Sequence, residues 1–117
     1  LDANRWTGFM SYLRQNTMHT IYVGTMNNNG RIVAMGTLLI EPKIIHGMAN
    51  AAHIEDVVVD ESVRGQHVGK QMVEFLTEMA LKQNVYKVTL DCSTANAGFY
   101  AKCGYVQKGV QMCLNVR

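Results

Sequence analysis

Between Ile54 and Lys82 the apolar residues change period, and this change most constrains the fold. Ile54, Val57, Val58 and Val59 form a β-branched run that reads as a buried strand. After a loop, Val68, Met72, Val73, Phe75, Leu76, Met79 and Ala80 recur at helical spacing, which predicts a helix over about Gly69 to Lys82. A strand that feeds a helix through a short glycine-bearing turn must pack that helix back onto a sheet. Two chemistries meet at such a turn, the free N–H groups of a helix start and the carboxyl end of a strand.

The flanking segments extend the pattern. Trp6, Phe9, Met10 and Leu13 fall on one face of a helix ending near Gln15-Asn16. Ile21-Tyr22-Val23 opens a strand, Asn27-Asn28-Asn29-Gly30 is a hairpin signal, and Ile32 to Ile40 reads as the returning strand, closed by Glu41-Pro42. Residues 43–52 read as a loop. Tyr86 to Cys92 alternates as a strand, Thr94 caps a short helix ending near Cys103 with Gly104 at its exit, and Val110, Met112, Leu114 and Val116 make a last strand. The order α-β-β-β-α-β-α-β predicts an α+β fold, a mixed sheet with helices on its faces, in one domain over 1–117. The chain starts at Leu1 without an initiator Met, so an upstream element is expected to be missing or trimmed.

Composition narrows the function classes. The chain is 48% hydrophobic and 17% charged, which excludes a disordered or low-complexity segment. No apolar run approaches the roughly 20 residues of a membrane helix. A net charge of +2 is too mild for a nucleic-acid binder but suits a small anionic ligand. Cys92, Cys103 and Cys113 contain no CxxC; they read as small core or half-core residues and as free thiols of a reducing compartment such as the cytoplasm. The histidines 19, 46, 53 and 67 match no zinc spacing, so no metal is expected, and the methionines read as core filler.

Several segments carry chemistry. Arg64-Gly65-Gln66-His67-Val68-Gly69-Lys70 at a helix start makes a seat for phosphate, although a plain strand-to-helix connection explains a two-glycine loop as well. It is neither a Walker loop nor a dinucleotide fingerprint. Glu55 and Asp56 put two carboxylates among apolar strand residues, which suits either an ion pair or recognition of a cationic amine. Asp91 and Lys87 share a strand face; each is read either as a solvated charge or as a site residue. Tyr100 beside Phe99 is either a core residue or a proton donor, and Asn96 either a cap or a ligand contact.

Arg64-x-x-x-x-Gly69 resembles the [Gln/Arg]-x-x-Gly-x-[Gly/Ala] signature of the GNAT acyltransferases, with His67 in the fourth place, a substitution that calls for φ below zero there. Asn96-x-x-Phe99-Tyr100-x-x-x-Gly104-Tyr105 resembles a second family pattern. His53 to Val59, Tyr86 to Cys92 and Phe99 to Tyr105 together resemble the glucosamine-6-phosphate N-acetyltransferase branch. The resemblance implies a GNAT fold and transfer of acetyl from acetyl-CoA to the amine of D-glucosamine 6-phosphate, by direct attack in a ternary complex that needs no metal. It implies that Arg64 to Lys70 hold the pyrophosphate of coenzyme A, that Val57, Val58 and Val59 line the acetyl and pantetheine arm, and that Asn96 and Lys102 complete the cofactor side. Tyr100 is implied as proton donor to the leaving thiolate, Asp91 as the group that binds and deprotonates the amine, and Glu55 and Asp56 as the amine and sugar end. Lys43-Ile44-Ile45-His46 and Tyr86-Lys87 are implied substrate contacts, with Arg117, two places after Asn115 on one strand face, standing in for a basic phosphate contact. The resemblance also implies a homodimer with the site at its interface. The same fold acting on another amine (a polyamine, an amino acid or a protein lysine), or a non-catalytic CoA-binding module, are the competing readings.

Overall fold

The computed structural model describes residues 2–26 and 29–117. Its elements run α1 (Ala3–Gln15), β1 (His19–Thr25), β2 (Ile32–Pro42), the single turn α2 (Ile45–Met48), β3 (Asn50–Val59), α3 (Val68–Leu81), β4 (Val85–Leu90) and α4 (Ala97–Lys102), with 3-10 turns at Glu61–Val63 and Thr94–Asn96. The sheet order is β1-β2-β3-β4; the first two pairings are antiparallel and β3 runs parallel to β4. This is the expected α+β fold, a mixed and mostly antiparallel sheet with helices packed on it. Among the described residues no helix is long and apolar enough to cross a membrane.

Helix α3 lies on the sheet through the stripe that its period announces. Met72, Leu76 and Ala80 pack with Ala34, Leu38 and Ile40 of β2 and with Ala52 and Ile54 of β3. Full burial of Leu76 contributes about 1.5–3 kcal/mol. The helix approaches closely because Gly36 lies beneath it: a Cβ there would sit 2.5 Å from Leu76 Cδ1. Helix α1 is capped by Asp2, whose Oδ1 accepts from the amides of Asn4 and Arg5 at 3.0 and 3.1 Å. Its stripe is not buried: Trp6 is half exposed, and Phe9 and Tyr12 gather instead around His19.

Several expected boundaries shift. β2 continues through Glu41 and ends with Pro42, which needs no ladder donor at a strand end. β3 begins at Asn50, inside the expected loop over 43–52, because pairing on both edges holds Ala51 and Ala52 extended despite their weak strand preference. Asp91 and Cys92 lie past the end of β4. Thr94 opens a 3-10 turn, and α4 starts after Asn96 without a side-chain cap. Gly104 exits α4 at φ +92, as a C′ glycine should. Asn27 and Asn28 of the hairpin signal lie outside the described residues; next to them Gly30 takes φ +68. The expected last strand does not form: Val110, Met112, Leu114 and Val116 are 85–88% exposed. An alternating segment becomes a strand only against a neighbour, and among the described residues no strand pairs with it. Cys92 and Cys113 are exposed, with only Cys103 half-buried, and Met18, Met48 and Met112 are likewise exposed, so these residues are not core filler.

Candidate active site

The site is set by a bulge. Between β2 and β3 the pairing steps from Thr37↔Glu55 to Met35↔Val58, so β3 carries one extra residue opposite Gly36. Asp56 absorbs it with φ +56, a left-handed conformation that aspartate tolerates better than most residues. Ala52 and Ile54 face the core before the bulge; Val57 and Val59 do so after it. Without the extra residue, strict alternation would turn Asp56 toward the core and the two valines away from it. Beyond Ile54↔Leu90 the parallel pairing with β4 ends, and β3 and the chain after β4 part.

A cleft of about 650 Å³ flanks the opening, lined by Val57, Val59, Val63, Arg64, Gly65, His67, Val68, Gly69, Lys70, Asn96, Phe99, Tyr100 and Lys102. Most of the expected cofactor residues therefore meet in one place. Val58 and Gln66 do not line it: the bulge turns Val58 to the opposite, exposed face, and Gln66 stands out from its turn. Three cations and the first amides of α3 converge there, a donor set that fits phosphate. Arg64 and Lys70 approach Glu61 and Glu74 at 4.0 and 3.7 Å, exposed pairs too weak to withhold either cation from a ligand. Gly69 keeps the loop close, since a Cβ there would already touch Phe99 and Val59 at 3.5 Å.

His67 corrects one expectation. Its φ is +62, not negative, so the loop keeps a glycine-like conformation with a histidine in it. The left-handed region costs a non-glycine residue about 1–2 kcal/mol, whereas glycine adds roughly 0.5–1 kcal/mol of unfolded-chain freedom. His67→Gly should therefore raise stability by roughly 0.5–1 kcal/mol, read as a higher urea midpoint at unchanged slope. A lower midpoint would mean that the imidazole contributes more than the strain removes.

Tyr100 is held from three sides. Phe99 meets its ring edge-on at 4.9 Å, and Tyr105 does so at 6.5 Å. The Tyr100 carbonyl accepts from the amides of Cys103 and Tyr105 at 2.9 and 3.1 Å. Tyr105 is itself anchored on α3, its hydroxyl 2.6 Å from Thr77 Oγ1. Because Thr77 gives its only hydroxyl proton to the Val73 carbonyl, Tyr105 is the donor in this pair. Burial pushes the Tyr100 phenol above its ordinary 10.0, with the neighbouring Cys92 and Cys103 adding to the rise, so it remains protonated.

At the other lip of the opening, His53 joins the two strands. Its Nδ1 is 3.0 Å from Thr89 Oγ1, while its Nε2 faces Glu55 Oε2 at 3.8 Å and Asp91 Oδ2 at 3.7 Å. Glu55 and Asp91 thus face the same imidazole nitrogen, one from β3 and the other from just past β4. Asp56, on the bulge, is exposed. His53 and Thr89 were not among the expected site residues. The signal was available only in part, as His-x-Glu and Thr-x-Asp each share a strand face, but their meeting needs the parallel register His53↔Thr89.

The expected sugar-phosphate residues form a separate group, near the start of β3 and β4. The His46 ring stacks on Tyr86 at 4.1 Å, and Lys87 Nζ lies 5.6 Å over that ring. Lys43 pairs with Glu41; that hydrogen bond and charge hold the ammonium above its ordinary value and the carboxyl below it. Ile44 and Ile45 are exposed beside them. His46, Gly47 and Met48 all take positive φ, which folds this loop over Tyr86. Arg117 lies outside any strand, so the shared face with Asn115 that would make it a phosphate contact does not exist in the single chain.

The sequence model of the Acetyltransferase (GNAT) family matches residues 2–105. The glucosamine 6-phosphate N-acetyltransferase of Arabidopsis thaliana is 46% identical over 94 residues, which cover 80% of this chain and 63% of that protein. The Candida albicans protein of the same name is 42% identical over 109 residues, covering 93% of this chain and 68% of its own length. This chain therefore spans less than two thirds of the Arabidopsis relative. A crystal structure of the Arabidopsis enzyme superposes with a TM-score of 0.90 at 38% identity, covering 97% of this chain and 78% of that one. With the parted strands, the bulge and the glycine loop on one cleft, these matches establish that the chain belongs to the GNAT acetyltransferase family.

Proposed function

We propose that the chain transfers the acetyl group of acetyl-CoA to the amine of D-glucosamine 6-phosphate, giving N-acetyl-D-glucosamine 6-phosphate for UDP-N-acetylglucosamine synthesis. One observation carries the reading: the phosphate-seating loop and a protonated tyrosine line one cleft with Val57 of β3, two residues on from Glu55, whose carboxylate shares the His53 imidazole with Asp91. Arg64, Lys70 and Lys102 would neutralise the phosphates of coenzyme A, and its pantetheine arm would run along Val57 and Val59 toward the opening. The β3 amides that β4 leaves unpaired would face the thioester oxygen and stabilise the oxyanion. Asp91 and Glu55 would bind the sugar amine and take its proton, leaving a neutral nucleophile. The C–N bond forms as the C–S bond breaks, the acylated nitrogen releases its second proton to solvent, and Tyr100 protonates the departing thiolate and is then reprotonated from solvent. Holding both substrates in one cleft supplies most of the remaining acceleration.

The reading extends to a homodimer and to a reducing compartment such as the cytoplasm. What supports the first is an open β4 edge in the sheet together with an alternating, exposed segment from Val110 to Val116 that forms no strand in the single chain. Three free thiols support the second.

The test is an assay of thiol release from acetyl-CoA over a panel of amines. Glucosamine 6-phosphate should give the highest kcat/KM, with free glucosamine, polyamines and lysine peptides far behind. Preference for an unphosphorylated amine would move the assignment elsewhere in the family, and acetyl-CoA binding without turnover would make the chain a binding module.

A further inference from the structure

We propose that His53 is a positioning residue for the amino sugar: it clamps the Glu55 and Asp91 carboxylates on the two sides of the strand opening. This rests on the acceptor reading given above. The clamp has three parts. Thr89 is the fixed end, with its hydroxyl 3.0 Å from Nδ1 and 3.4 Å from the Ala52 carbonyl. The imidazole is the arm, one-third exposed and rooted on the paired part of β3 directly across from Thr89. Nε2 is the working end, turned toward both carboxylates at 3.7 and 3.8 Å.

The chemistry fixes the tautomer. A carboxylate is acceptor-only, so an Nε2 turned toward two of them must carry the proton; Nδ1 then takes the single Thr89 hydroxyl proton at 3.0 Å, in preference to the longer 3.4 Å approach to the Ala52 carbonyl. Both Nε2 contacts are longer than a hydrogen bond. They can close by a side-chain adjustment when a ligand draws the carboxylates inward, as site contacts do on forming the reactive complex. The need for a clamp follows from the fold. Glu55 is the last residue before the bulge, and Asp91 is the first beyond the end of β4. Neither carboxylate is held by a hydrogen bond from the backbone or another side chain among the described residues, and their like charges push them apart. Lys87 lies over Tyr86 and Glu41 pairs with Lys43, so among the described residues His53 is the group that faces both carboxylates across the opening.

The kinetic arm compares His53→Ala and His53→Gln, since a glutamine amide can still donate toward the carboxylates. With glucosamine 6-phosphate as acceptor, His53→Ala should lower kcat/KM for the sugar by about 10- to 100-fold and leave KM for acetyl-CoA unchanged. His53→Gln should recover most of the loss. An alanine variant that folds and keeps its sugar kcat/KM overturns the proposal, as does an equal loss in both variants. If the alanine variant does not fold, the glutamine variant decides: near wild-type kcat/KM supports the clamp, and a loss beyond about tenfold overturns it. The second arm needs no substrate. Imidazole 15N shifts of the neutral His53 ring in the wild-type protein should report the Nε2–H tautomer, and an Nδ1–H tautomer overturns the clamp. A wild-type protein that ignores amino sugars would thus sink the acceptor reading while the spectrum still decides the clamp.

Discussion

Replacing Tyr100 by Phe is expected to lower kcat by about 100- to 10,000-fold while KM for both substrates stays within a few-fold. The ring remains, so its edge contacts with Phe99 and Tyr105 and the shape of the cleft remain. Only the hydroxyl goes, and in the proposed reaction it is needed only once the C–S bond has begun to break. A group used only in the transition state shows in kcat rather than in binding. The phenol is suited to that moment because burial raises its pKa above 10.0. The sign matters: raising an acid's pKa keeps its proton on, so Tyr100 stays a donor across neutral and mildly alkaline pH. Any alkaline fall in kcat due to Tyr100 should therefore lie above pH 10.0 in the wild-type protein and be missing in the variant. A variant with undiminished turnover would remove Tyr100 from the chemistry, and another donor would have to be found in the cleft.

How far the sequence leads depends on how local the cause is. Helix α3 is legible because seven apolar residues repeat on one face, and the loop before it because two glycines flank a helix start. Tyr100 is legible because its neighbours follow a recognisable pattern. The bulge at Asp56 is not, since one extra residue in a strand leaves the composition unchanged and shows only as the slip between Thr37↔Glu55 and Met35↔Val58. The sign of φ at His67 is missed for a related reason. Side-chain type argues against the left-handed region there, yet the route from the 3-10 turn at Glu61–Val63 into α3 imposes it. His53 is missed because Thr89 lies 36 residues away in sequence and, like Asp91, meets it only through the parallel register. The C-terminal segment errs in the other direction: its alternation is a strand signal, but a strand also needs an edge to pair with. Local propensity, then, names the elements, while register and tertiary pairing decide which side chains share the site.

The same bulge makes the contact between Gly36 and Leu76 the mechanical support of the opening. Leu76 is fully buried, and its Cδ1 occupies the place that a Cβ on residue 36 would need. Leu76→Ala should lower stability by about 2–5 kcal/mol, a large share of the roughly 5–15 kcal/mol typical of a domain. It removes buried methyl groups and leaves a void between α3 and the strand that faces the bulge. Gly36→Ala should cost about 1–3 kcal/mol through overpacking, since a clash at 2.5 Å against a core leucine forces either the rotamer or the helix to move. The double variant is the decisive measurement. The methyl group added at position 36 would enter the space vacated at position 76, so the combined loss should fall short of the two single losses by at least about 0.5 kcal/mol, read from urea unfolding of all four proteins. Additive losses would mean that Leu76 already leaves room for a methyl group at residue 36, and that the close approach of α3 to β2 has another cause. Because α3 also carries Gly69 and Lys70 into the cleft, the Leu76→Ala protein should bind acetyl-CoA more weakly even at temperatures where it remains folded, whereas Tyr100→Phe should not.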